Sequence, residues 1–252
     1  MFKRAVFAAG LLLTALPCDA AQVKLLIGGA MQEPFKAVGA AYARQSGNSL
    51  DFTIDTTGVL LSKLRSGVPA DLILVSAPGM DALEKENRIA PGTRVDLARA
   101  LVGVCVKAGA AVPDVSSEES FKQTILGARS ISYVNPEAGG TSGTYMDGLF
   151  RKMGISEQVR AKVVWGYQGS QVAETVAKGQ ADIGITFISE MAPNKGVKIV
   201  GPLPESIQSA TNYAAAIPLG AANPDAARAY LQMMTGPPGR AAIEKADLEP
   251  LH

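Results

Sequence analysis

Apolar residues fall along the chain in two rhythms. Short unbroken apolar runs alternate with stretches in which apolar side chains recur three or four residues apart, the marks of buried strands and of one face of a helix. Residues 23–27, 50–54 and 70–75 read as strands, the last apolar enough for burial on both faces. Between them, 34–45 sets Phe35, Val38, Ala41 and Tyr42 on one helical side, and 59–66 does the same with Leu60, Leu61 and Leu64. A third helix is expected over 80–87. The second half repeats the style, with strands over 130–134, 162–165, 181–187 and 198–200 and helices over 145–153 and 172–178. Near the end, 213–217 reads as extended and 224–234 as helical. This alternation predicts an α/β fold of mostly parallel sheets flanked by helices. Two extended segments, 101–107 and 212–217, separate the halves. They suit a two-segment hinge between one lobe of residues 22–101 with 214–252 and a second lobe of 102–213.

Three loops each follow a strand and open a helix: Ala30, Met31 and Gln32; Thr56, Thr57 and Gly58; and Thr141, Ser142 and Gly143. A helix N-terminus carries unpaired N–H groups and the positive end of the helix dipole. Glycine allows a ligand close to the backbone, and hydroxyls add donors, so such a loop can hold an anion's oxygens. Ordinary helix capping uses the same residues. Their common place at strand C-terminal ends, where open α/β sheets bind ligands, favours a site.

Charge and cysteine content narrow the function. Lys3 and Arg4 precede an apolar run over 5–16 that is too short to span a bilayer, and small residues lead up to Ala20. This pattern predicts a secretory signal over 1–20 and a periplasmic location. Its removal takes the formal charge from +1 to +1 − (2 − 1) = 0, which gives nucleic acid no electrostatic reason to bind. Only Cys105 remains beyond the signal, inside an apolar run, so it is expected to be a buried hydrophobe and no internal disulfide is available. The sole histidine is His252, so histidine-based triads and clustered His and Cys zinc sites are not expected. No metal or cofactor is called for. Asp71 and Asp182 precede apolar strands and are read as structural. Arg65, Arg94, Arg129 and Arg151 are read as surface groups, while Trp165 and Tyr167 are placed as possible walls of a cleft.

Three stretches carry a resemblance. Residues 26–31 lead from a strand into a helix; Thr56, Thr57 and Gly58 precede a helix that ends in Gly67, Pro69, Ala70, Asp71 and Leu72; and Gly179, Ala181, Asp182 and Gly184 lead to Phe187. In order and spacing this resembles the periplasmic solute-binding proteins of the molybdate-binding type, over nearly the whole chain after the signal. The resemblance implies a bilobal type II periplasmic binding fold, a monomer, a small anionic ligand held between the lobes, and delivery to an ABC transporter permease. Carried over residue by residue, it places ligand contacts at Ala30 or Met31, Thr57, Ser142 and Phe187. Where the family has a serine in the first loop this chain has Ala30, or Met31 with a one-residue slip, and the family's tyrosine falls on Phe187. Two hydroxyls are thus missing, while Gln32, Thr56, Thr57, Thr141, Ser142, Thr144, Tyr145, Ser170 and Gln171 remain. Such a set suits a larger ligand with carboxylates as well as a tetrahedral oxyanion. The aconitate isomerases resemble the same family, so an exported isomerase is the alternative. It requires a group to move a proton between carbons, for which Glu33, Asp55, Glu137, Tyr145 and Glu190 are candidates.

Overall fold

The computed structural model describes residues 20–251; the expected signal lies outside that range, apart from Ala20. The first half runs β1 (Gln22–Gly28), a 3-10 turn (Gly29–Met31), α1 (Gln32–Ser46), β2 (Ser49–Asp55), α2 (Thr57–Arg65), β3 (Leu72–Ser76) and α3 (Ala77–Lys85). β4 (Val95–Lys107) then leads to α4 (Glu118–Gly127), β5 (Ile131–Val134), α5 (Thr141–Lys152), α6 (Ser156–Arg160), β6 (Val163–Gly166), α7 (Gly169–Ala177), β7 (Ile183–Phe187), α8 (Ile188–Met191) and β8 (Val197–Pro202). The chain closes with β9 (Ala210–Ala216), α9 (Pro224–Thr235), α10 (Pro237–Lys245) and β10 (Glu249–Pro250).

The strands join in the order β2-β1-β3-β9-β4-β7-β5-β6, with β8 and β10 also on β4. β1, β2 and β3 are parallel, as are β5, β6 and β7. β9 runs antiparallel to β3 and β4, and β4 antiparallel to β7 and β8. The sheets are therefore mixed where the two halves meet. β4 makes this junction because it is long enough to serve both sides. Its first part, Val95 to Leu101, pairs with β9, and its second part, from Val102, pairs with β7 and β8. β3 and β7 are buried along their whole length, as continuous apolar runs flanked by helices must be.

Asp71 shows why some polar residues sit inside. Its carboxylate accepts from the N–H of Lys24 at 2.8 Å and of Asn223 at 2.7 Å, fastening β1 to the start of α9. Asp182 accepts from the guanidinium and the backbone N–H of Arg129 at the foot of β7. Both aspartates are structural, as their positions before apolar strands suggested. Cys105 is fully buried, and burial pushes its thiol up to about 12. Among the described residues, no helix is long and apolar enough to cross a membrane.

Candidate functional site

The strands β1, β2, β5, β6 and β7 end where the two halves of the chain meet, and the helices that follow them start there. α2 begins at Thr57, α5 at Thr141 and α7 at Gly169. These starts come from both halves of the chain and meet around one small cavity. It is lined by Gly29, Thr56, Thr57, Val134, Gly140, Thr141, Ser142, Gly169, Phe187, Glu190 and Tyr213. Its volume is about 20 Å³, room for little more than a water. It adjoins a wider cleft of about 270 Å³, which Gln32, Glu33, Asp55, Gln168, Ser170, Ser189, Glu190 and Asn194 help to line.

The two halves are drawn together at this point. Thr56 donates its hydroxyl to the carbonyl of Ala138, and the Gly58 N–H donates to the carbonyl of Gly139 at 3.0 Å. A β-carbon at Gly58 would lie 2.8 Å from the Gly139 Cα, so the backbones touch directly. The Thr141 hydroxyl faces the Tyr213 hydroxyl at 3.4 Å. Ser142 is buried, and its hydroxyl lies 3.3 Å from that of Thr186. Thr57 is also buried and accepts from the Ser76 N–H at 3.2 Å, which leaves its proton free to donate.

Glu190 occupies the join between cavity and cleft. Its carboxylate accepts from the Thr186 hydroxyl at 2.8 Å and from the N–H groups of Phe187 and Gly169. Only glycines admit it. A β-carbon at Gly169 would lie 1.9 Å from one carboxylate oxygen, and one at Gly29 would lie 2.5 Å from the other. The side chain keeps a partial opening to the cleft, with protein on its other sides. Burial pushes it up to about 7, against the opposing pull of its three donors. Tyr213 is raised as well, first by burial and then by the Glu190 charge.

The other residues expected from sequence divide clearly. Gln32 and Ser170 line the cleft. Contrary to expectation, Ala30 and Met31 line neither the cavity nor the cleft; their side chains are buried in the core. Gly143 packs against the Val134 carbonyl, where a β-carbon would lie 2.2 Å away. The Gln171 side chain closes a turn by accepting from the Tyr167 N–H at 2.9 Å. Phe187 lines the cavity and meets Tyr213 edge-on, with ring centroids 6.0 Å apart.

Among the candidate proton carriers, Glu33, Asp55 and Glu190 reach the cleft. Tyr145 instead donates to the Ile207 carbonyl, beside an outer groove. Contrary to expectation, Trp165 and Tyr167 do not wall the cleft; Trp165 packs against Tyr133 at 4.8 Å and Tyr167 is exposed. Arg65, Arg94, Arg129 and Arg151 pair with surface carboxylates. Tyr213, Gln168, Thr186 and Ser189 were missed. Tyr213 is the most informative of these, since from β9 it sets a hydroxyl beside the hydroxyl-free Phe187. Nothing in its local sequence marks it out. Among the described residues, no group of three or more His, Cys, Asp or Glu could hold a metal ion.

Residues 23–247 match the family model for bacterial extracellular solute-binding proteins. The chain belongs to that family. An aconitate isomerase from a Pseudomonas species is 32% identical, with 96% of this chain and 94% of that protein covered. The molybdate-binding protein ModA of Azotobacter vinelandii is 25% identical, with 96% and 95% covered. The solved Azotobacter vinelandii periplasmic molybdate-binding protein has a TM-score of 0.73 at 19% identity, covering 90% of this chain and 98% of that one. A sulfate-binding protein from Mycobacterium tuberculosis gives 0.72 at 16%, covering 92% and 87%. The fold is thus the two-lobed type II periplasmic binding fold.

Proposed function

We propose that this solute-binding protein captures a small, oxygen-rich anion between lobes formed by residues 22–101 with 214–252 and by 102–213, and hands it to an ABC transporter permease after export to the periplasm. The observation that carries this reading is the meeting of the α2, α5 and α7 starts from both halves around one cavity. Thr57, Thr141 and Ser142 supply hydroxyls there, and Tyr213 adds a fourth. Backbone N–H groups and hydroxyls hold an oxyanion without a counter-cation because their dipoles are fixed around it. Gln32, Gln168, Ser170, Ser189 and Asn194 extend the polar lining into the wider cleft, which favours a ligand longer than a tetrahedral oxyanion, such as a polycarboxylate.

A second reading, interconversion of cis- and trans-aconitate, is favoured by Glu190 and by the 32% identical isomerase. Such an enzyme must take a proton from one carbon and return it to another, and a carboxyl near pH 7 is poised for that. A thermal-shift screen separates the possibilities. Molybdate, tungstate, sulfate and phosphate are compared with citrate, cis-aconitate and trans-aconitate. A ligand at 100 times its dissociation constant stabilises by roughly 2.7 kcal/mol, and the expected winner is a polycarboxylate. A stronger response to molybdate would restore plain molybdate capture. Conversion of cis- to trans-aconitate in heavy water, with deuterium entering the product by NMR, would establish the isomerase; a polycarboxylate that binds without turnover would leave a transport receptor.

A further inference from the structure

The cleft proposed to take an anion is lined by four carboxyl side chains. Glu33 comes from α1, Asp55 from the end of β2, Glu174 from α7 and Glu190 from α8, and among the described residues no Lys or Arg lines it. All four already have partners, those of Glu190 being Thr186, Phe187 and Gly169. Glu33 accepts from the Gln32 amide at 3.0 Å, Asp55 from the Thr56 N–H at 2.9 Å, and Glu174 faces Lys178 at 3.5 Å. Tyr213 of β9 faces Glu190 across the small cavity. The nearest basic lining, Lys195 and Lys245, belongs to an adjoining groove shared with Glu33, Ser189 and Asp247.

Glu190 differs from the other three. It touches both the small cavity and the cleft, and it takes up N–H groups that would otherwise point at a ligand. A chain of hydroxyls, Ser142 to Thr186 to Glu190, ties it to one of the proposed ligand donors. Beside it, the buried hydroxyl of Ser189 lines the cleft without a hydrogen-bond partner. An anion brought here meets a like charge in a poorly solvated place, where repulsion is strong. A protonated carboxyl removes that repulsion and adds a donor.

We propose that anion capture is proton-coupled at Glu190: its carboxyl holds a proton when the lobes close on the ligand and donates that proton's hydrogen bond to a ligand oxygen. This rests on the anion-capture reading of the cleft. The sign follows from the favoured form. Glu190 is protonated below about pH 7 and charged above it. Affinity is then level at lower pH and falls tenfold for each unit well above that point. Between pH 6 and pH 8.5 the loss is about 30-fold for a group titrating near 7.

Isothermal titration calorimetry tests this on the protein, with molybdate, citrate and trans-aconitate as probes. Each is titrated at pH 6 and pH 8.5, in two buffers of different ionisation enthalpy. The expected result is about 30-fold weaker binding at the higher pH, with roughly one proton taken up per ligand bound there. Citrate and trans-aconitate carry titrating carboxyls of their own, so Glu190→Gln is measured in parallel. In that variant the protein's share of the pH dependence and of the proton uptake disappears. Binding at pH 6 that is undiminished at pH 8.5 with no proton uptake, or an identical profile in Glu190→Gln, overturns proton coupling and leaves anion capture standing. No heat with any probe at pH 6 overturns both.

Discussion

Thr57 and Ser142 look alike in sequence, as hydroxyls at helix starts, but the structure gives them different duties. The Ser142 hydroxyl meets only another hydroxyl, that of Thr186. Thr57 also satisfies the buried Ser76 N–H. Removing Ser142 by Ser142→Ala is therefore expected to weaken ligand binding by roughly 1.5–3 kcal/mol, the value of a hydrogen bond to a charged acceptor, with little change in folding stability. Thr57→Val should weaken binding similarly and also lower stability by about 1–3 kcal/mol, since it orphans a buried donor. Calorimetry and urea titration of both variants check this split; unchanged affinity in both would remove these hydroxyls from the site. Glu190 belongs at this scale too. Nothing in its sequence neighbourhood marks it for burial, and only the approach of Gly29 and Gly169 from other parts of the chain encloses it.

At the scale of elements, the apolar rhythm located the strands well, because burial on both faces leaves continuous apolar runs. Helix starts were placed too late at α2, α5 and α7, since Thr57, Thr141 and Gly169 carry no apolar signal. Those polar first turns are the parts that line the site. α4 and α10 escaped notice altogether. Pro237 and Pro238 look like breakers, yet they occupy the first turn of α10, where a missing N–H costs nothing. α4 had a signal that was not used. Ser117 and Ser120 form a reciprocal capping box, with Glu118 and Glu119 in the first turn. Ser117→Ala is expected to cost about 1 kcal/mol of stability, measured by urea denaturation, without altering ligand affinity.

At the scale of the whole molecule, closure depends on contact between backbones. Gly58 lies inside α2 at an ordinary helical conformation, so alanine there is locally favourable. Its β-carbon would nevertheless meet the Gly139 backbone of the opposite half. Gly58→Ala is therefore expected to keep the melting temperature of the free protein within a few degrees while lowering ligand affinity by at least about tenfold, because about 1.4 kcal/mol of closure strain suffices. Calorimetry with the best probe, alongside small-angle scattering for the bound shape, checks it. The sequence by itself determined the α/β class, the division into two halves and the helix-start loops, because burial and capping are local demands written in residue type and spacing. Of the residues it singled out, Thr57, Thr141 and Ser142 line the small cavity and Gln32 and Ser170 the cleft beside it. Only the tertiary structure decided that β4 serves two sheets, that Tyr213 sets a hydroxyl beside Phe187, and that Glu190 is enclosed between two glycines. These depend on which distant backbones come into contact, and no local pattern encodes that meeting.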